Sequence, residues 1–235
     1  MFSLLLTLTG YRMVEIVDRG DARDTQITYI TAKAVRMEFP STETAVILRI
    51  DKEGVKAYML DLKEKTYTDI SSMASSFSTV YMAMFVKCDE SGKKCMVDRS
   101  VIKPTDEYKT INGHRARKVV YYMKNLKELF TSMGQSIPDS VENWFVKDWK
   151  DLYRAEMLRT KFLSDFSRRT FNSPEARVIL KDLDAFLMGI LKKYGAPIVT
   201  VSPGMGNLVK VTRVSVKRVK VPEDKFRVPE GFGRK

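Results

Sequence analysis

The chain of 235 residues is poor in the side chains that build metal and redox sites, since it has two cysteines and one histidine. A structural zinc site needs four ligands, and Cys88, Cys95 and His114 are too few of the usual kind. No nucleophile elbow, phosphate-binding glycine loop, His-rich motif or Rossmann glycine pattern occurs either. We therefore expect no metal, no cofactor and no enzymatic activity.

Long apolar runs and linkers are also scarce. The start of the chain, MFSLLLTLTGYR, is too short to span a membrane, and it has neither a basic residue ahead of it nor a cleavage signal behind it. Residues 1–10 are therefore interpreted either as the remnant of a signal peptide or as the first β-strand. No Gly/Ser-rich or Pro-rich linker and no repeat period interrupts the sequence, which predicts a single domain over residues 1–235.

Acidic residues are outnumbered, with 29 Asp plus Glu against 41 Lys plus Arg, so the formal net charge is +12. Such a surface favours polyanions, including nucleic acid, anionic lipid headgroups and envelope material. The basic residues are spread along the chain, and the one dense run, KVTRVSVKRVK at 210–220, has no RNA-binding signature beside it. We interpret the run as a solvated basic face; the net charge alone selects no partner, an anionic envelope surface is one candidate, and nucleic acid is not expected.

The first third of the chain is rich in Val, Ile, Tyr and Thr, which predicts an antiparallel meander. Its strand segments are YRMVEIVD, TQITYITAKAVRMEF, TAVILRID, VKAYMLDL and KTYTDI. Residues 71–87 fit either a helix or a strand, and a helix followed by a strand is favoured. Asn112-Gly113 is the strongest hairpin signal of the chain. The valines move from odd-numbered to even-numbered positions between Val211 and Val214, so they change face along the strand. This predicts a bulge or a strand covered on both faces.

Two helices are expected in the second half. Apolar residues recur at three- and four-residue steps between Ser173 and Gly195, with Ser173 as the N-cap, Pro174 at the first position and Gly195 as the stop. A second amphipathic helix is predicted at about 151–168. A long antiparallel sheet with two such helices predicts a sheet-dominated α+β fold, in which the sheet curves and the helices pack on its concave face.

Candidates for acid–base chemistry are weak. His114 directly follows the predicted turn, where a histidine is usually inert. Asp182 and Asp184 point to different sides of a helix, and Glu15 with Asp18 is interpreted as decoration at a strand end. A hydrolase whose carboxylates meet only in space stays a third alternative.

Several segments, in this order, resemble an uncharacterised bacterial secreted-protein family, a domain of unknown function. They are KEKTYTDI (63–70), PTDEYKTINGHRARKV (104–119), ENWFVKDW (142–149), YGAPIVTVS (194–202) and FRVPEGF (226–232). That family is similar in fold to the periplasmic carriers of outer-membrane lipoproteins. The resemblance implies an incomplete antiparallel β-barrel with a helical lid, a periplasmic or secreted location, and a hydrophobic cavity for acyl chains.

The cysteines of CDESGKKC (88–95) are best explained as a disulfide, given that location. A redox pair is normally Cys-x-x-Cys, whereas six intervening residues around Gly92 suit a loop closed at its base. A ring this small contributes about 2–3 kcal/mol. Two free thiols in a cytosolic protein are the alternative.

These observations together predict a soluble, exported, non-enzymatic protein that binds an apolar or amphipathic envelope component, such as a lipid or a lipidated protein. Thirteen methionines would suit adaptable cavity walls, although methionine also fills gaps in ordinary cores. The alternative is a structural or protein-interaction module of the envelope with a filled core. The predicted ligand-binding residues are Met84, Phe85, Phe162, Phe166, Phe186 and Ile190.

Overall fold

The computed structural model describes residues 7–20, 22–89, 94–132, 134–171, 173–203 and 207–235. Within these ranges the chain forms four α-helices and fourteen β-strands. The helices are α1 (Ala74–Ala83), α2 (Lys124–Ser132), α3 (Lys150–Thr170) and α4 (Pro174–Tyr194). The strands are β1 (Thr7–Arg19), β2 (Ala22–Ile30), β3 (Ala34–Phe39), β4 (Thr44–Asp51), β5 (Gly54–Asp61), β6 (Thr66–Asp69), β7 (Val86–Cys88), β8 (Cys95–Val97), β9 (Ile102–Ile111), β10 (His114–Tyr122), β11 (Ser140–Val146), β12 (Ala196–Pro203), β13 (Leu208–Pro222) and β14 (Gly233–Arg234).

Twelve of the strands form one sheet, in the order β14-β6-β5-β4-β3-β2-β1-β13-β12-β11-β10-β9. All neighbours are antiparallel except β14, which pairs in parallel with β6. The sheet is curved and open, with helices on one side, so the predicted sheet-dominated α+β class is confirmed. Near its centre β1 pairs with β13, which is distant in sequence. None of the helices in these ranges is long and apolar enough to cross a bilayer.

Helix α3 covers one face of the sheet, which we call the inner face. Strand β1 alternates buried and half-buried residues, so that Met13 points inward. Leu152, Ala155 and Phe162 of α3 pack in one cluster with Met13 and with Ile198 of β12, and all five are fully buried. Burial of this stripe, more than helix propensity, holds α3 on the sheet.

The opposite, outer face is covered by the C-terminal segment. Ala34 and Val35 are neighbours on β3 but pack in different clusters, because alternate residues face opposite sides of a strand. On the outer side Ala34 joins a cluster with Ile47, Leu60 and Phe226, and Phe226 is 2% exposed. The sheet is therefore buried on both faces along β3 to β5.

Helix α4 confirms the cap prediction at both ends. The Ser173 hydroxyl accepts a hydrogen bond from the Ala176 N–H at 3.1 Å, and Pro174 opens the helix. Gly195 has φ +91°, and a Cβ at this position would overlap the carbonyl of Val146. Glycine is required there both for its backbone angle and for the close approach of β11.

Four further predictions are confirmed. Residues 71–87 form α1 and then β7, and α3 includes the predicted helix at about 151–168. Asn112 and Gly113 form the turn between β9 and β10, with positive φ angles of 49° and 81°. A bulge interrupts β13, where Glu15 pairs with Arg213 and Val14 with Ser215, so that Val214 is left over.

Two interpretations are wrong. Residues 25–39 do not form one strand, because the Thr31 hydroxyl accepts the Ala34 N–H at 3.0 Å and closes a turn between β2 and β3. Glu15 is not decoration at a strand end but is 1% exposed under α3. Residues 7–10 belong to β1, whereas residues 1–6 of the apolar start and the disulfide-loop residues 90–93 lie outside the described ranges.

Candidate functional site

Two of the six predicted ligand-binding residues lie in the main core. Phe162 and Phe166 of α3 are 0% and 2% exposed, and their ring centroids are 5.7 Å apart. They fill the space between α3 and the inner face of the sheet. These two rings therefore belong to a packed interior.

The other four predicted residues lie close together around α4. The rings of Phe85 and Phe186 meet edge to face with centroids 6.4 Å apart, and Met84 packs against the same cluster. Ile190 lies one turn further along α4, in a cluster against which Phe186 also packs. The structure thus joins residues from the end of α1 with residues of α4, but it separates them from Phe162 and Phe166.

A groove of about 400 Å³ runs along this part of α4. Its apolar walls come from α4 and from the first residue of β9, and they include Ile102, Phe186, Ile190 and Tyr194. Gly189 of α4 also lines the groove, and a Cβ at this position would meet nothing within 4 Å. The missing side chain of Gly189 therefore leaves this part of the groove open.

Two cationic side chains stand at the rim of the groove. Arg99 forms an ion pair with Asp182 at 2.6 Å and lies 5.9 Å from the centroid of Phe186. The ammonium of Lys193 lies 5.3 Å from the ring centroid of Tyr194. Lys193 forms no ion pair with any residue that the structure describes. The groove thus combines an apolar interior with a positive edge, which suits an amphipathic ligand.

A disulfide hairpin supports α4 from the outside. Cys88 of β7 and Cys95 of β8 are bonded, which confirms the predicted pair. Val97 of β8 packs with Leu180 and Leu183 of α4 in one buried cluster. The covalent link between β7 and β8 therefore stabilises the surface on which the N-terminal half of α4 rests.

Asp98 ties the end of this hairpin to α2. Its carboxylate accepts hydrogen bonds from the Ser100 hydroxyl at 2.6 Å and the Ser100 N–H at 3.0 Å, and it pairs with Lys124 at 3.0 Å. Burial alone would raise the pKa of Asp98, but the hydrogen bonds from Ser100 and the ammonium of Lys124 lower it to about 2. The carboxylate is therefore ionised at every physiological pH.

A buried charge cluster lies between α3 and the sheet. The guanidinium of Arg159 is 3.2 Å from both Glu15 and Glu156, and that of Arg213 is 3.3 Å and 3.4 Å from the same two carboxylates. The Thr28 hydroxyl also donates to Glu15 at 2.6 Å. Burial raises the pKa of Glu15, but the two guanidinium groups and Thr28 outweigh it and hold the pKa below its usual value. With two positive and two negative charges the cluster is neutral, so we interpret it as a structural network.

The single histidine is half-buried. The His114 ring stacks on Trp149 with centroids 4.7 Å apart, and its Nδ1 lies 3.0 Å from a carboxylate oxygen of Asp148. This places His114 in a contact between β10 and the start of α3. Among the described residues, no group of three or more His, Cys, Asp or Glu side chains is arranged to hold a metal ion.

Sequence reasoning missed the residues that complete the groove. Ile102 and Tyr194 form part of the apolar walls, and Arg99 and Lys193 supply its charge. The one available signal was Gly189, a glycine inside a helix, since such a residue usually has a packing or functional reason.

No protein-family model matches the chain. Similar solved structures include an uncharacterized conserved protein from Thermus thermophilus, which is 10% identical with a TM-score of 0.46 over 96% of this chain and 89% of that chain. A DUF1329 family protein from Desulfovibrio piger is 9% identical with a TM-score of 0.34, over 94% of this chain and 90% of that chain. The Pseudomonas aeruginosa MucA/MucB complex contains a chain that is 9% identical with a TM-score of 0.34, over 93% of this chain and 55% of that chain. Likenesses at this level imply nothing about function.

A relative in sequence is much nearer. An uncharacterized protein of Aquifex aeolicus (strain VF5) is 30% identical over 214 residues, and the match covers 85% of this chain and 74% of that protein. The chain therefore belongs to the same family as the Aquifex aeolicus protein.

Proposed function

We propose that the protein is an exported, non-enzymatic binding module of the cell envelope, and that its ligand is an amphiphile with an apolar chain and an anionic head. The observation that carries this proposal is the α4 groove, which is open at Gly189, apolar at Phe186 and Ile190, and positive at Lys193. Its volume of about 400 Å³ falls within the range of small-molecule sites, about 300–1,000 Å³.

The disulfide supports the proposed location. Disulfides persist in oxidising compartments such as the periplasm and are rare in the cytosol. The Cys88–Cys95 bond is therefore expected in a periplasmic or secreted protein. The resemblance of the sequence to a secreted family related to lipoprotein carriers agrees with this location and with an acyl ligand.

A non-enzymatic role is supported by the way in which the carboxylates buried between α3 and the sheet are engaged. Glu15 and Glu156 each pair with two arginines under α3, and both are less than about a tenth exposed. A carboxylate held in this way is a poor base, because its negative charge is already stabilised by fixed partners.

The second candidate is a protein-interaction module with a filled core. Phe162 and Phe166 favour it, because they occupy the space where a carrier-like cavity would lie between helix and sheet. On this alternative the α4 groove would be a shallow surface feature. The two candidates differ in whether a free acyl chain binds at Gly189.

The test is titration of delipidated protein with an acyl-chain fluorophore. We expect saturable binding with a Kd around micromolar, equivalent to about −8 kcal/mol. Gly189→Leu should fill the groove and weaken binding by at least about tenfold, or about 1.4 kcal/mol. The matched control, Val178→Leu, adds bulk on the same helix at a side chain that is 70% exposed and should change nothing.

Three further results bear on the two candidates. Lys193→Gln should weaken binding of a fatty acid more than binding of its methyl ester, because only the acid uses the positive rim. Absence of saturable binding to fatty acids, phospholipids and acylated peptides, in protein shown to be folded, would favour the interaction module. Binding that Gly189→Leu leaves unchanged would show that the groove is not the site.

A further inference from the structure

A second concave site lies at the other end of the helical layer, where α3 passes over the sheet. This cleft has a volume of about 700 Å³ and shares no lining residue with the α4 groove. One wall is the turn between β2 and β3 together with the end of β4, and the other wall is the C-terminal half of α3. Six basic side chains line it: Lys33, Arg49, Lys52, Lys161, Arg168 and Arg169.

Much of this positive charge is not neutralised within the protein. Arg49 pairs with Asp51 at 3.6 Å, and Arg168 pairs with Asp165 at 3.0 Å. The guanidinium of Arg169 donates to the backbone carbonyl of Asp51, which is not a charged partner.

The three lysines are freer still. In the part of the chain that the structure describes, Lys33, Lys52 and Lys161 form no ion pair, and all three are exposed. The third acidic residue of the cleft, Glu223, is already paired with Arg227 at 2.6 Å. Four cations, the lysines and Arg169, thus surround one space without a carboxylate partner.

The cleft is also preorganised. The Thr31 hydroxyl accepts the Ala34 N–H at 3.0 Å, which fixes the turn that presents Lys33, and the Ile50 N–H donates to the Lys33 carbonyl at 2.8 Å. The hydrogen bond from Arg169 to Asp51 joins the helix wall to the sheet wall. Four like charges held near one another repel, and an anion that neutralises them would relieve this repulsion.

We infer that this cleft is a binding site for a ligand that carries two phosphate groups, either a free diphosphate or the headgroup of a bisphosphorylated lipid. Lysine ammonium groups bind phosphate as point charges, and the guanidinium of Arg169 adds a planar donor. A single phosphate would leave part of the charge unmatched, since it carries about −1.5 to −2 near pH 7. Two phosphates match four cations and fit within the cleft.

The experiment titrates the purified full chain with sodium pyrophosphate by calorimetry at low ionic strength. We expect one site per chain, weakened by added salt because the contacts are electrostatic and solvent-accessible. Lys52→Gln/Lys161→Gln should weaken binding by at least about tenfold. The control Lys217→Gln/Lys220→Gln removes two exposed cations of β13 that do not line the cleft, and it should leave the Kd within about twofold.

A second arm identifies the source of the phosphates. Co-sedimentation is measured with vesicles of phosphatidylcholine alone and of phosphatidylcholine with about one-fifth cardiolipin, which has two phosphates per molecule. Binding that is lost only in Lys52→Gln/Lys161→Gln supports the site. If the bound probe is pyrophosphate, the ligand is a free diphosphate; if it is the cardiolipin vesicle, the ligand is a bisphosphorylated lipid headgroup. Absence of binding to both probes, or equal losses in the two variant pairs, would overturn the inference.

Discussion

Removing one arginine from the buried charge cluster should strongly destabilise the protein. Arg213 is 4% exposed, and its Nε lies 3.3 Å from Glu15 and 3.4 Å from Glu156. At an effective dielectric constant of about 20, each of these attractions amounts to about 5 kcal/mol, most of which offsets the cost of desolvation. Arg213→Met keeps much of the volume but leaves two buried carboxylates with only Arg159. We expect a loss of about 3–5 kcal/mol in the free energy of unfolding.

The pH dependence makes this prediction sharper. In the native protein the pKa of Glu15 is below its usual value. The ionised carboxylate therefore stabilises the fold above about pH 4.5, and this stabilisation is lost as the pH falls through the lowered pKa. In Arg213→Met, Glu15 stays buried but loses the attraction of the second guanidinium, so its pKa rises. The folded variant then binds protons more readily than the unfolded chain. The difference in the free energy of unfolding between the variant and the native protein should therefore shrink as the pH falls toward about 5.

Urea unfolding followed by circular dichroism at pH 7 and pH 5 measures both effects. Arg218→Met is the matched control, because Arg218 lies on the same strand but is exposed, and it should cost less than about 0.5 kcal/mol. A loss below about 1 kcal/mol in Arg213→Met, or a deficit that grows on acidification, would refute the assignment of this cluster as a coupled network.

Three further predictions concern α4 and the hairpin beneath it. Thiol titration of the unreduced, denatured protein should find neither Cys88 nor Cys95 reactive, and two free thiols in material from an oxidising compartment would contradict both the bond and the proposed export. Leu183→Asp should unfold the protein, because it places an unpaired charge at a side chain that is 1% exposed, whereas Val178→Asp, at 70% exposure, should leave the melting temperature within a few degrees. Asp98→Asn should lower the free energy of unfolding by about 1–2 kcal/mol at pH 7. This difference from the native protein should vanish as the pH falls from about 4 through about 2, where Asp98 itself becomes protonated. A difference that stays constant in acid would show that the charge of Asp98 does not cause the stabilisation.

The sequence predicted elements whose signals are local. The cap at Ser173, the stop at Gly195 and the turn at Asn112-Gly113 each rest on a few adjacent residues, and each is confirmed. The parity change of the valines before Val214 indicated the bulge, because alternation along a strand records which face each residue takes.

The parts that could not be predicted depend on contacts between distant residues. Arg213 is part of a basic run that was interpreted as solvated, yet the bulge turns it inward toward Glu15, about 200 residues earlier in the chain. Helix α2 and strand β11 were not predicted at all. Of the six proposed ligand residues, Phe186 and Ile190 line the α4 groove, whereas Met84, Phe85, Phe162 and Phe166 belong to packed clusters. Sequence could not separate the two sets, because an apolar helix face has the same pattern whether it packs in a core or binds a ligand.

The pairing of β1 with β13 has a consequence for how the molecule assembles. These two adjacent strands near the middle of the sheet come from segments about 200 residues apart, so the contacts between them close a very long loop. Folding rates fall as the sequence separation of contacts rises, and we expect this sheet to form slowly. Until β13 has been synthesised, β1 presents an open edge to which other chains can add. Slow folding suits the proposed export, because a chain that is still unfolded can be threaded through a translocation pore.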